Sequence, residues 1–169
     1  AARQVSARRQ DGPRVPVRVE LSEVAAPQHV RQRLLASPSL PPGNYDGLDV
    51  LLTRASVETD GARSELLTPA EATFVAARFR IERRQAVVLN VELDLEASLD
   101  GGFSLEPVFH AHVPPRPAAG LLTLVSESRN HRIRILDKSS GTVAGVIPTG
   151  RNPSGLALDP RRPRAYVRS

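Results

Sequence analysis

The 169-residue chain has no cysteine, no methionine and no tryptophan, and Lys138 is its only lysine. It holds four phenylalanines and two tyrosines, so aromatics make up 4%. Without cysteine there are no disulfides, zinc–thiolate sites, iron–sulfur clusters or thiol nucleophiles. So few aromatics argue against an aromatic-lined sugar cleft and supply a base-stacking platform thinly. No run of 18 apolar residues occurs, which excludes a membrane-spanning helix, and no signal peptide is present. The Gly-x-Gly-x-x-Gly fingerprint and the phosphate loop are both missing, so nucleotide binding has no support. Methionine is absent even at position 1, and the chain is therefore expected to be processed or part of a longer protein.

What is present is ordinary for a globular chain: 40% apolar and 24% charged residues, enough for one domain or two small ones. The net charge of +5 is carried almost wholly by arginine, with groups at Arg8-Arg9, Arg78/Arg80/Arg83/Arg84 and Arg161-Arg162/Arg164. Spread in this way they do not form the clustered basic face of a nucleic-acid binder, and no nucleic-acid partner is expected. They fit either the codon usage of a GC-rich genome or Arg-rich faces turned to an acidic partner.

Residues 1–14 are polar and basic and read as a flexible leader. From there, short alternating segments recur: Val17–Leu21, Tyr45–Val57, Phe74–Ile81, Gln85–Leu95 and Phe103–Val113. A helical turn or loop fits 27–38, and turns are marked by Leu40-Pro41-Pro42-Gly43, Asp60-Gly61 and Asp100-Gly101-Gly102. Strands at such spacing, with no helical period, predict an all-β fold, with an antiparallel β-sandwich over 15–113. A Pro-rich linker follows at 114–120. Beyond it, over 121–169, short strands at Leu121–Ser126, Asn130–Leu136, Val143–Pro148, Gly155–Leu158 and Arg164–Val167 predict a single or truncated β-propeller blade.

Two resemblances add to this. Asn130-His131-Arg132-Ile133-Arg134-Ile135-Leu136-Asp137, Gly141–Gly150, Asn152–Pro160 and Ala165-Tyr166-Val167 together resemble a YVTN-type β-propeller repeat. The likeness departs from the family's Tyr-Val-Thr-Asn at Arg168-Ser169. Leu40-Pro41-Pro42-Gly43-Asn44-Tyr45, Val91–Ser98 and Phe103–Val108 resemble a family of secreted bacterial β-sandwich domains of unassigned function, often lipoproteins, which carries a Leu-Pro-Ala-Gly-x-Tyr turn. That family's Asp-Ala-Pro near the first strand is absent, with Ala26-Pro27 its only remnant. A lone blade cannot close a propeller. The resemblance therefore implies that the chain continues past Ser169 or that another chain covers its edges.

Candidate chemistry is thin. His110 and His112 share one face of an expected strand, but a metal needs further ligands, and exposed or hydrogen-bonded histidines are the plainer reading; His131 lies in the other segment. Glu92, Asp94 and Glu96 form a carboxylate row that reads as the solvated side of a sheet rather than an acid–base or calcium site. Ser98, Ser126, Ser128 and Ser154 lack a Gly-x-Ser-x-Gly setting, and Asp137 reads as a turn cap. No catalytic residue, metal site or cofactor is assigned. The expectation is a non-enzymatic exported bacterial protein, periplasmic or on the cell surface, that binds a protein or glycan. The alternative is a structural accessory subunit on the periplasmic face of a membrane-associated complex, its strand edges and Arg-rich faces met by protein partners.

Overall fold

The structure, a computed structural model, describes residues 2–21, 23, 32–59, 61–115, 121–162 and 164–168. The chain divides into two compact units: Ala1–Arg80 with Asn90–His112, and Ile81–Leu89 with Val113–Ser169. Apart from a four-residue helical turn and a three-residue 3-10 turn, the regular elements of the described residues are strands in antiparallel sheets, so the fold is all-β. Among the described residues no helix is long and apolar enough to cross a membrane.

The first unit holds β1 (Ala2–Arg9), β2 (Val15–Val17), β3 (Gly43–Leu52), β4 (Ala55–Thr59), β5 (Ala62–Leu66), β6 (Thr73–Ile81), β7 (Asn90–Asp94), the single-turn α1 (Leu95–Ser98), β8 (Leu99–Asp100), β9 (Ser104–Leu105) and β10 (Val108–His112). The largest sheet runs β2-β1-β3-β6. Its buried face carries Val5, Ala7, Val17, Leu48 and Val50, aligned by the registers Val5↔Val17, Val5↔Val50 and Ala7↔Leu48. Val75 and Ala77 of β6 are buried as well. Because strand side chains alternate, the opposite face carries Ser6, Arg8 and Asp49. There Asp49, 5% exposed, pairs with Arg8 and with Arg14 at 2.9 Å, and the Arg8 guanidinium lies 4.0 Å from the Phe74 ring centroid.

The flexible leader expected over 1–14 is overturned. Its residues 2–9 form β1, hydrogen-bonded on both sides, with Ala7 fully buried at 0% exposure. Val5 and Ala7 alternate with Gln4, Ser6 and Arg8, which is a strand period, and the charge on Arg8 is matched by Asp49, 41 residues away.

Other expected strands are trimmed. The strand expected over Gln85–Leu95 begins only at Asn90. Its partner β10 ends at the pair His112↔Asn90, and two residues on stands Pro114, which has no N–H to donate. The expected strand over 103–113 is broken at Glu106-Pro107 for the same reason, and that over 45–57 is broken at the exposed Thr53-Arg54. In place of a strand over 17–21, β2 ends at Val17 and Val19 makes an isolated bridge to Ala36. Of the segment 27–38, residues 27–31 lie outside the described residues, as do 116–120 of the expected linker. The hairpin at Asp60-Gly61 forms: β4 and β5 close at Thr59↔Ala62, with Gly61 at φ 76° as a two-residue turn requires, while Asp60 lies outside the described residues.

The second unit holds β11 (Leu122–Glu127), a 3-10 turn (Ser128–Asn130), β12 (Arg132–Asp137), β13 (Val143–Pro148), β14 (Gly155–Leu158) and β15 (Ala165–Arg168). These strands do not form one sheet. They make a three-stranded sheet, β11-β12-β13, and a separate β14–β15 hairpin. Ile133 is buried at the middle of the larger sheet. On β11, Glu127 stands directly opposite Arg132 and bonds both Arg132 and Arg134.

Candidate functional site: an open groove in the first unit

The first unit contains an open groove of about 490 Å³, walled by residues 67–69 and 104–108 together with Thr73. Each wall has a local cause. After β5 the chain leaves the sheet at Leu67, whose N–H donates to the Phe103 carbonyl (2.9 Å) and whose carbonyl accepts from Leu105 N–H (2.8 Å). This parallel bridge fixes residue 67 against β9. On the far wall, the Glu106 N–H donates to the Ser98 carbonyl (2.8 Å) and the Val108 N–H to Ser98 Oγ (2.9 Å). The Ser98 hydroxyl in turn donates to the Asp94 carbonyl. Pro69 and Pro107 contribute stiff, apolar, non-donating backbone to the two walls.

The groove is mixed in character. Leu67, Pro69, Leu105, Pro107 and Val108 line it, interrupted by hydroxyls from Thr68, Thr73 and Ser104, and Glu106 is its one ionisable side chain. One large side chain on its wall stands in water: Leu67 is 74% exposed, held in place through its backbone by the Phe103 carbonyl. Leu99, paired to Leu105, is also exposed. Covering a side chain such as Leu67 releases roughly 1.5–3 kcal/mol. A wall of aliphatic side chains interrupted by hydrogen-bonding hydroxyls suits an apolar segment carrying polar backbone.

The residues considered for chemistry lie elsewhere and do other work. His110 and His112 are exposed on β10, opposite Glu92 and Asn90, and Asn90 accepts from Gln32 Nε2 at 2.7 Å. Among the described residues no group of three or more His, Asp or Glu is placed to hold a metal. The carboxylate row ends at Asp94, because Asp94 caps α1 by accepting from Ala97 N–H at 2.9 Å and Glu96 belongs to the helical turn. Ser98 is buried, and its hydroxyl both donates and accepts, joining α1 to β10. The Ser128 hydroxyl donates to the Pro153 carbonyl (2.7 Å). Asp137 caps its turn, accepting from the Ser139 hydroxyl (2.5 Å) and N–H (2.8 Å) and from Ser140 N–H (3.4 Å); these bonds hold its carboxyl below the ordinary 3.8. Several arginines are spent inside the fold: Arg8 and Arg14 on Asp49, Arg132 and Arg134 on Glu127.

Sequence reading missed the groove because its walls are more than 30 residues apart in the chain. The available signal was a single large apolar residue, Leu67, directly after β5 and two residues before Pro69. Compared with family models, curated proteins and solved structures, the chain has no significant match.

Proposed function

We propose that this is a non-enzymatic binding protein, exported from a bacterial cell to the periplasm or surface, that takes an apolar segment of a protein partner in the groove between Leu67 and Val108. The exposed Leu67 on the wall of an open groove lined by aliphatic and hydroxyl groups is the observation that carries this reading. A protein segment is favoured over a glycan because the lining is aliphatic, whereas sugar sites are built on aromatic faces. In this reading the first unit is a β-sandwich and the second a piece of a β-propeller. The likeness of the Leu40–Tyr45 turn to secreted domains and of residues 130–167 to a YVTN-type repeat supports both assignments and the export.

The test is selection from a displayed library of short linear peptides on the full chain, followed by titration calorimetry. Enriched peptides are expected to carry large apolar residues and to lose tenfold or more in affinity to Leu67→Ser and Val108→Ser, with His110→Ala unchanged. Failure to enrich any peptide, or affinities indifferent to both groove substitutions, removes the reading.

A second reading, an accessory subunit whose partners cover its sheet edges, is favoured by the second unit. Its small sheets leave Leu122, Val125, Ile147, Leu158 and Tyr166 exposed. Purification from the native source in fixed stoichiometry with other chains would move this reading ahead.

A further inference from the structure

In the second unit the turn between β13 and β14 is tied to the turn between β11 and β12 by three hydrogen bonds. Thr149 N–H donates to the His131 carbonyl (2.9 Å), Ser128 Oγ–H to the Pro153 carbonyl (2.7 Å), and Asn152 N–H to the His131 ring at Nδ1 (3.2 Å). The two residues joined by the last bond, His131 and Asn152, both have φ 52°, in the left-handed region that residues other than glycine seldom occupy. Two uncommon backbone conformations thus face each other across one bond, and that bond depends on an unprotonated nitrogen. A neutral imidazole offers one acceptor; an imidazolium offers none.

We propose that His131 is a proton-operated latch. Neutral, it clasps the 149–154 turn and couples the three-stranded sheet to the β14–β15 hairpin; protonated, it releases the Asn152 N–H and loosens that coupling. Of the charged groups near it along the chain, none offers the Asn152 N–H a free acceptor. Arg129 and Arg132 flank it on its own turn, Arg151 stands on the facing turn, and the Glu127 carboxylate is already engaged by Arg132, Arg134 and Asn130. An environment acidic enough to protonate the imidazole would work the latch.

The test is amide hydrogen exchange by NMR on the full chain, with rates normalised to the unstructured peptide at each pH. Between about pH 8 and about pH 5 the protection of the Asn152 amide is expected to fall about three- to tenfold, the size of one net hydrogen bond. The Gly141 amide, bonded to the Asp137 carbonyl in a turn remote from His131, is expected to hold steady. His131→Asn tolerates the left-handed backbone and keeps an acceptor at every pH, so its Asn152 protection stays high and flat. His131→Gly tolerates the backbone and has no acceptor, so its protection stays low and flat. A flat wild-type profile, or a fall that persists in His131→Asn, overturns the latch. So does a proton found on Nδ1 at the alkaline end from the ring nitrogen shifts.

Discussion

The rings of Tyr45 and Phe79 lie parallel, 5.1 Å between centroids and 5° between planes, and the Tyr45 hydroxyl donates back to the Pro41 carbonyl at 2.8 Å. Tyr45 is 1% exposed, so ring and hydroxyl have separate tasks: the ring fills core beside β6 and the hydroxyl closes the Pro41–Tyr45 turn. Tyr45→Phe keeps the stack and is expected to cost about 1 kcal/mol, one net hydrogen bond. Tyr45→Ala loses the aromatic volume and is expected to cost about 3–5 kcal/mol. Urea unfolding followed by far-ultraviolet circular dichroism measures both, and equal losses would contradict the division of labour.

Gly47 sits where β3 passes β6. A Cβ there would fall inside the van der Waals radius of the Val75 carbonyl oxygen and against the Phe74 ring. The oxygen belongs to the backbone of an adjacent strand and cannot rotate aside. Gly47→Ala is therefore expected to cost about 3 kcal/mol, the upper end for overpacking, through separation of β6 from β3. Gly102, at which a Cβ meets nothing within 4 Å but the backbone lies at φ 77°, shows the cost of backbone strain without a clash. Thermal unfolding of both variants decides it: Gly47→Ala must fall well below Gly102→Ala.

Asp49 is nearly buried, while its partners are not: the Arg8 side chain is 35% exposed and that of Arg14 64%. Removing one member of a fully buried pair costs about 3–5 kcal/mol, but both arginines here can turn to water. Asp49→Asn is accordingly expected to cost about 1–2 kcal/mol, between the buried and surface cases. The two arginines are not equivalent, because Arg8 also stacks on Phe74 and Arg14 does not. Arg8→Met is expected to destabilise more than Arg14→Met, and the reverse order in a denaturant series would refute this account.

The parts of the fold legible in the sequence are those specified locally. The strand at Val143–Pro148, the strand at Gly155–Leu158 and the Asp60-Gly61 hairpin stand where alternation and turn chemistry put them. The misreadings have non-local causes. Residues 2–9 look like a polar leader because Arg8 is matched only by Asp49, far along the chain. Residues 85–89 alternate like a strand, yet the partner that would pair with them runs into Pro114-Pro115. Leu67 gains meaning only once the parallel bridge to Ser104 brings the two walls together. His131 reads as one more surface histidine until the backbone N–H of Asn152 arrives at its ring.

The capped turn at Asp137 gives a pH dependence with a defined sign. The carboxyl is held below 3.8 first by the Ser139 hydroxyl, then by the Ser139 N–H, with a smaller contribution from the Ser140 N–H, all favouring the charged form. A carboxyl depressed in the folded state binds fewer protons there than in the unfolded chain. Its contribution to stability is therefore fully present above the unfolded value of 3.8 and is lost as pH falls through the lower folded value. The group is exposed, so the effect is small and local. Asp137→Ala removes the acceptor and is expected to flatten this acid limb while leaving the profile above pH 5 unchanged in shape. Ser139→Ala removes the leading bond and is expected to move the limb upward, toward the ordinary carboxylate range. The carboxyl carbon-13 shift of Asp137, followed by NMR through the acid range, reads the titration directly. A midpoint in Ser139→Ala at or below that of the wild type would show that the hydroxyl does not hold the charge.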